Sequence, residues 1–401
     1  MDNVSGEKYF CIFGGGGVRG LSYLGVFQAL EELGIEIKGC AGSSVGAIFA
    51  TLVTLGYNLE EMKGILKKVG IDVFRDINFG FNQAFSLSKG EVFLNWLKEL
   101  VEKKYYGNAY VKGIEPVKFK DLDKDLVILS VNLTDSKFSE FSKQKTPEVE
   151  VAYAVRASVS IPGLLPPVEF GLDYLVDGDL MKSWPLWRVS ENLCPKDSRI
   201  LEFRLEDSQK DKKIDSGISY INAVYNTISG FSTDFIIDLY SLRDKFDYIK
   251  INSKNIAILD FTINEKMRDS LAEAGYLTTL EYFREFLPKK RALLFEKYYK
   301  IELGLLRVRE SLKKGRVKRA YLHLCEHFTE LCEAKKDIDL EIYHSILELK
   351  DLFFENYEVS PLGLAQLKSK NVVWAKLGTI LEVLAMKTAE LKAKSQGSQG
   401  S

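Results

Sequence analysis

The spacing of apolar positions changes along this 401-residue chain, and each change predicts an element. Tyr9-Phe10-Cys11-Ile12-Phe13 is an unbroken apolar run that reads as a buried strand. A glycine cluster follows, and then Leu24, Phe27 and Leu30 recur at spacings of three with Ala29 beside them, which predicts a helix over Leu21–Leu33 closed by Gly34. Ile35 to Cys40 is β-leaning, and Ala47 to Leu55 is apolar with helical period, stopped by Gly56. Two strand–glycine turn–helix units within 56 residues argue for an α/β sheet with neighbouring loops at one edge. Further strands are expected at Leu126–Leu133, Tyr174–Val176, Arg199–Leu205 and Phe246–Ile251. Helices are expected at Val149–Ala157 and over about 217–242.

Residues 57–116 differ in character. Phe74, Phe79, Phe81, Phe85, Phe93, Trp96, Tyr105, Tyr106 and Tyr110 crowd a mostly helical stretch, with a helix start at Ser88-Lys89-Gly90-Glu91. They fit either a lid over an apolar channel or ordinary core. From about Pro288 the pattern becomes all-helical, punctuated by Pro361 and by glycines 304, 315, 363 and 378. This divides the chain into an α/β domain over 1–288, a helical region over 289–394 and a flexible Ser/Gln/Gly tail over 395–401.

Composition adds three limits. No run of about 18 uncharged apolar residues occurs, and the N-terminus lacks a signal-peptide pattern, so a cytoplasmic protein is expected, with peripheral membrane contact at most. Five cysteines at 11, 40, 194, 325 and 332 form no CxxC pair and suit reduced thiols. The net charge is −1, yet residues 289–401 carry 21 Lys and Arg against 15 acids. Lys289 to Arg319 is the sharpest part, with 12 basic residues against Glu296, Glu302 and Glu310. That stripe suits an anionic membrane surface, nucleic acid, an acidic partner or plain solvent.

Three segments carry candidate chemistry. Gly42-Ser43-Ser44-Val45-Gly46 is a G-x-S-x-G elbow between a strand and a helix, with Ser44 the candidate nucleophile and Gly42 and Gly46 allowing the turn. Gly14 to Gly20 offers backbone N–H groups at a helix start, a natural oxyanion hole. Asp177, at a strand end before Gly178, is the candidate base that a serine hydroxyl needs. The chain's three histidines, 323, 327 and 344, all lie in the helical region, so a Ser-His-Asp triad within the α/β part is excluded. Asp177 would then take the Ser44 proton directly, which calls for a partly desolvated carboxylate. The competing arrangement has His323 or His327 fold back to complete a triad.

At these residues the chain resembles the patatin-like phospholipases, lipid acyl hydrolases with a Ser-Asp dyad. Gly15-Gly16-Gly17-Val18-Arg19-Gly20 is similar to their G-G-G-x-[RK]-G oxyanion loop, and Gly42–Gly46 to their elbow. Asp177-Gly178-Asp179 is similar to their D-G-[GA] turn, and Ala157-Ser158-Val159-Ser160-Ile161-Pro162-Gly163 to their A-S-x-S-I-P-G block. The resemblance covers roughly residues 8–280. It implies a three-layer α/β fold with a mostly parallel central sheet, followed here by an all-helical C-terminal region. It further implies an acyl-serine mechanism with catalytic Ser44 and Asp177, and an oxyanion hole built from Gly15, Gly16, Gly17, Val18 and Arg19. Arg19 would help to hold that loop. The substrate would be a membrane phospholipid or another acyl lipid, with no cofactor, no metal and no nucleic acid. Residues 289–319 are the candidate contact with an anionic membrane.

Two departures stand out. Asp179 replaces the usual small residue; it either points to solvent or raises the proton affinity of Asp177. Leu180 to Pro185 lacks the asparagines often found there.

Other patterns in the chain compete with this one. Gly15-x-Gly17-x-x-Gly20 with Glu36 on the next strand fits a dinucleotide-binding fingerprint, but it leaves Ser44 and Asp177 unexplained. A P-loop fails because Leu21, not a lysine, follows Gly20. His323-Leu324-Cys325-Glu326-His327 matches an inverted zinc-protease pattern without an identifiable third ligand. A non-enzymatic or gated lipid-binding module with a silent site is the remaining alternative.

Overall fold

The unbroken apolar run near the N-terminus becomes the middle of a sheet. The structure is a computed structural model describing residues 4–396, except 69–85, 87, 182–196, 207–213, 215–218, 221–222, 225–226, 228–243, 254–255, 261, 335–336 and 362–363. The chain divides into two compact units. One comprises Val4–Asp238 and Asp247–Tyr282, the other Leu239–Phe246 and Phe283–Ser401.

The first unit is built on β1 (Lys8–Phe13), β2 (Glu36–Ser43), β3 (Asp125–Asn132), β4 (Lys137–Ser142), β5 (Val168–Phe170), β6 (Asp173–Asp177), β7 (Arg199–Glu206) and β8 (Phe246–Asn252). They form an eight-stranded sheet in the order β5-β6-β3-β2-β1-β7-β8, with β4 also on β3. The centre is parallel: β1 pairs with β2 and β7, and β2 pairs with β3. Antiparallel β4, β5 and β6 extend the β3 side. Every residue of β1 after Lys8 is buried, which is why its sequence shows no alternation. Strands β4 and β5 were not legible as strands, since Lys137–Ser142 is polar and only partly buried and β5 has three residues.

The helices of this unit are α1 (Ser22–Glu32), α2 (Val45–Thr54), α3 (Leu59–Lys68), α4 (Glu91–Tyr106), α5 (Val151–Ser158) and α6 (Glu265–Glu281). Helix α1 is buried well beyond its predicted face, with Tyr23 and Val26 as enclosed as Leu30. Its backbone touches α6 directly: a Cβ at Gly25 would lie 1.8 Å from the Ala272 carbonyl oxygen, and one at Gly275 would lie 2.0 Å from that of Ser22. The aromatic stretch is divided, with Phe93 enclosed and Tyr105 exposed, while Phe74, Phe79, Phe81 and Phe85 lie outside the described residues. The helix expected over 217–242 lies largely outside them too.

The cysteines invite a simple test. Cys11 and Cys40 are buried, and Cys325 is half-buried. Burial pushes the Cys40 thiol up to about 12, against the smaller opposing effect of its bond with Thr54. The reactive species is the thiolate. In folded protein at pH 8, iodoacetamide is expected to modify Cys325 well before Cys11 or Cys40. Peptide mass mapping over time would show the order, and early Cys40 modification would contradict it.

The second unit holds α7 (Leu287–Lys313), α8 (Val317–Ala334), α9 (Leu340–Asn356) and α10 (Lys370–Gln396). Leu294, Tyr298, Ile301, Leu305, Val308 and Leu312 recur at spacings of four and three along α7 and join one core with Leu377, Ile380 and Leu384 of α10. Asp244 is buried here and receives Lys387 Nζ at 2.6 Å and the Tyr298 hydroxyl at 3.2 Å. The helical expectation omitted one feature, a small antiparallel hairpin of β9 (Tyr357–Val359) and β10 (Ala365–Leu367) around Pro361. Gly304 and Gly378 do not interrupt their helices, whereas Gly315, at φ 70°, follows the end of α7. Helix α10 runs through Ser395 to Gln396. Among the described residues, no helix is long and apolar enough to cross a membrane.

Candidate active site

Both glycine turns follow the carboxyl ends of parallel strands, the edge where α/β sheets place their ligands. Strand β2 ends at Ser43, α2 starts at Val45, and Ser44 alone makes the turn between them. Its φ of 53° and ψ of −131° put a non-glycine residue in a strained region, at a cost on the order of 1–3 kcal/mol. The neighbouring glycines are sterically required. A Cβ at Gly42 would lie 2.2 Å from the Gly46 carbonyl oxygen, and one at Gly46 would lie 2.0 Å from that of Phe13. The Ser44 N–H donates to Ser158 Oγ at 3.0 Å, and that hydroxyl donates to the Leu129 carbonyl. Ser158, part of the A-S-x-S block, thus anchors the elbow to the neighbouring strand.

The glycine loop is tied down along its length. Gly14 N–H donates to the Phe203 carbonyl at 3.0 Å, and the buried Tyr23 hydroxyl donates to the Gly14 carbonyl at 2.7 Å. Burial holds the Tyr23 hydroxyl well above its ordinary pKa, so it stays a donor. Val18 N–H donates to the Ile258 carbonyl at 2.9 Å and Arg19 N–H to the Gly16 carbonyl at 3.2 Å. Arg19 is itself buried, and its Nε donates to the Ile256 carbonyl at 2.5 Å. Gly15 N–H donates to Asp179 Oδ1 at 3.1 Å. Of the five residues expected to form an oxyanion hole, Gly15, Val18 and Arg19 therefore have their N–H groups engaged. Gly16 and Gly17 have N–H groups with no protein acceptor among the described residues. Their φ values of 153° and 57° turn the loop into a short 3₁₀ helix over Gly17–Leu21.

Asp177 ends β6 and is fully enclosed. Register brings it to the elbow: Asp177 lies opposite Ser130, and Ser43 opposite Leu129 on the other side of β3. Two strand spacings, roughly 10 Å of backbone, separate the turns. Gly178 lets them close further, since a Cβ there would sit 2.2 Å from the Leu129 carbonyl oxygen and 3.1 Å from Ser43 Cβ. Asp177 Oδ1 accepts the Asp179 N–H at 2.8 Å, and Asp177 N–H donates to the Ser160 carbonyl at 3.0 Å.

Of the two alternatives for Asp179, one falls away. It does not point to solvent: it is only 1% exposed, and Oδ1 accepts from Gly15 N–H, from Ser43 Oγ at 3.2 Å and from Arg204 Nη1 at 3.3 Å. Arg204 Nε also bonds buried Glu202. Burial works against the Arg204 charge, but Glu202 and Asp179 outweigh it and hold the guanidinium protonated. Burial raises the Glu202 carboxyl, opposed by Arg204. Neither residue was singled out in the sequence. The available signal was an acid and a base two positions apart, hence on one face, in a stretch otherwise apolar from Ile200 to Leu205.

An apolar cavity of about 90 Å³ opens beside the elbow, with Ser44, Gly17, Ile48, Phe93, Trp96 and Ile161 on its wall. Two residues of the aromatic stretch thus line the space next to the candidate nucleophile. Glu36, the candidate ribose ligand, is placed elsewhere. It pairs with Lys8, five residues before Phe13 leads into the glycine loop, so roughly 17 Å of strand lies between them. In the second unit, His327 packs its ring over Gly304 and His323 Nδ1 lies 3.4 Å from Glu326.

Residues 11–187 match the sequence model of the patatin-like phospholipase family. This part of the chain is similar to that family. The patatin-like segment thus contains the glycine loop, the elbow and the Asp177 turn, while Arg204 and the Ile256 and Ile258 carbonyls lie beyond it. A protein of Acanthamoeba polyphaga mimivirus is 26% identical over 272 residues, covering 65% of this chain and 89% of its own length. The lysophospholipase NTE1 of Candida glabrata is 29% identical over 195 residues; the match covers 48% of this chain but only 10% of that much longer protein. Among solved structures, VipD from Legionella pneumophila aligns over 98% of this chain and 88% of its own, with a TM-score of 0.50 and 16% identity. The fold likeness agrees with the mostly parallel sheet and the helical C-terminal region.

Proposed function

We propose that the chain is a lipid acyl hydrolase of phospholipase A type, working through an acyl-Ser44 intermediate. The observation that carries this reading is Ser44 itself, held in a strained elbow on the wall of an apolar cavity. Ser44 Oγ would attack the ester carbonyl carbon while the Asp177 carboxylate takes its proton. The oxyanion would be met by the Gly16 and Gly17 N–H groups and by the first N–H groups of α2, which no helix satisfies internally. As the carbonyl–oxygen bond of the leaving group breaks, Asp177 returns the proton to that alcohol. Water then attacks the acyl ester, gives its proton to Asp177, and Ser44 leaves reprotonated. Asp177 is fully enclosed, the desolvated setting that a carboxylate base requires.

Fluorophosphonate labelling tests the assignment directly. Wild type is expected to label once, and Ser44→Ala not at all; labelling that survives Ser44→Ala overturns the reading. Ser44 is only 2% exposed, which favours a second reading of the same site as gated. Labelling that needs mixed lipid–detergent micelles would support gating, and equal labelling without them would exclude it.

The same reading places α7 at an anionic membrane surface. Lys289, Lys300, Arg307, Arg309, Lys313 and Lys314 are exposed, together with Phe286, Leu293, Tyr299 and Leu303. Lys290 and Arg291 are buried and drop out of the stripe. Each exposed basic residue near such a surface contributes about 1 kcal/mol. Lys300→Ala and Arg307→Ala are each expected to weaken binding to phosphatidylglycerol vesicles roughly fivefold and to leave phosphatidylcholine binding unchanged. Vesicle sedimentation measures this, and equal binding to both lipids would sink the idea.

A further inference from the structure

The site contains a side chain that the dyad chemistry does not use. We propose that Asp179 is a positioning residue: its buried carboxylate ties the glycine loop, the elbow and the base turn into one rigid frame. The inference rests on the Ser44–Asp177 reading above. Oδ1 of Asp179 accepts from Gly15 N–H at 3.1 Å, from Ser43 Oγ at 3.2 Å and from Arg204 Nη1 at 3.3 Å. Its own N–H donates to Asp177 Oδ1 at 2.8 Å. One residue therefore grips the loop that offers the oxyanion donors, the neighbour of the nucleophile and the base. The motif that this turn resembles has glycine or alanine here, which supplies the backbone bond to the base but none of the three side-chain bonds.

The packing shows that the arrangement is built for this side chain. A Cβ at Gly15 would lie 2.6 Å from Asp179 Cβ, so only glycine lets the loop approach the carboxylate this closely. A buried carboxylate is costly unless charged and polar donors surround it. Arg204 supplies the opposite charge and is itself secured by Glu202 on the same strand. By engaging Gly15 N–H, Asp179 selects the next two donors, on Gly16 and Gly17, for the substrate. Fixing donors before the reaction is what makes an oxyanion hole effective, because no reorganisation is then needed in the transition state.

The test compares Asp179→Ala, Asp179→Asn, Ser43→Ala and Ser44→Ala, with a soluble p-nitrophenyl ester and a fluorophosphonate as probes. Asparagine keeps an acceptor oxygen for Gly15 and Ser43 and loses only the charge. Asp179→Ala is expected to lower kcat by about 10²-fold, the scale of a lost oxyanion donor, with KM within about twofold. Asp179→Asn is expected to recover to within about fivefold of wild type, and its labelling rate to recover in parallel. Ser43→Ala, which removes one of the three donors, is expected to lower kcat about threefold with KM unchanged and serves if Asp179→Ala does not fold. An Asp179→Ala enzyme as fast as wild type would refute the proposal, as would equal losses in the asparagine and alanine variants. If Asp179→Ala does not fold, an unchanged kcat in both Ser43→Ala and Asp179→Asn would refute it. Labelling retained in Ser44→Ala would instead overturn the dyad reading, whatever the Asp179 variants do.

Discussion

Ser44→Ala is expected to lower turnover of a phospholipid or aryl ester on the order of 10⁴-fold or more, with KM little changed. That factor corresponds to about 5.5 kcal/mol of transition-state stabilisation. The loss should be this large because attack and acyl transfer both pass through Oγ, and a methyl group offers no substitute. Asp177→Asn should fall by a similar factor. Its amide oxygen can still accept the Asp179 N–H, so the turn keeps its shape while the proton acceptor is lost. Two inactive but normally folded variants would tie the chemistry to the pair. Steady-state kinetics combined with thermal unfolding checks this, and an Asp177→Asn enzyme retaining a tenth of the wild-type rate would remove the aspartate from the role of base.

The second large effect is on stability. Gly46 opens α2 where that helix abuts the end of β1, and an added Cβ would meet the Phe13 carbonyl oxygen at 2.0 Å and that of Gly14 at 2.6 Å. Neither atom belongs to a flexible side chain, so the helix or the glycine loop must shift as a body. Gly46→Ala is expected to cost about 3 kcal/mol, the upper range for overpacking, and to disable whatever activity remains by displacing the loop. Gly64 provides the contrast. It lies exposed in α3 with nothing within 4 Å of its added Cβ, so Gly64→Ala should stabilise the protein by about 0.5–1 kcal/mol. Urea unfolding of both variants measures the pair, and equal midpoints would contradict the steric account.

The parts of the fold that were legible in the sequence are those where one local rule decided the outcome. Tyr9–Phe13 is an unbroken apolar run because β1 is covered on both faces, and Leu126–Leu133 and Arg199–Leu205 are largely strand in the structure as well. The Ser44 turn was legible because so tight a strand–helix junction needs small residues on both sides. What the sequence did not reveal was decided by partners far away in the chain. Gly15 and Val18 looked like open donors, but their acceptors are Asp179 and Ile258. The sequence left open whether Asp179 faces solvent, and Arg204, 25 residues further on, is a partner that keeps it inside. Lys290 and Arg291 counted as part of a basic surface, yet both are buried, and Lys290 donates to the Phe246 carbonyl. Composition counts charges, while only tertiary contacts say which of them reach water.

The central strand β1 joins two stretches of chain with different histories of resemblance. On one side it pairs with β2, inside the family match; on the other it pairs with β7 at 199–206, beyond residue 187 where that match stops. The backbone contact of α1 with α6 likewise joins residue 25 to residues 272–276. The stretch recognised by its motifs is thus not a unit that can be exchanged. A chimera joined at residue 187 would divide the sheet through its middle and discard the Arg204 end of the carboxylate frame. Grafting this site onto another helical region would have to carry the chain at least through Tyr282, where the first unit ends.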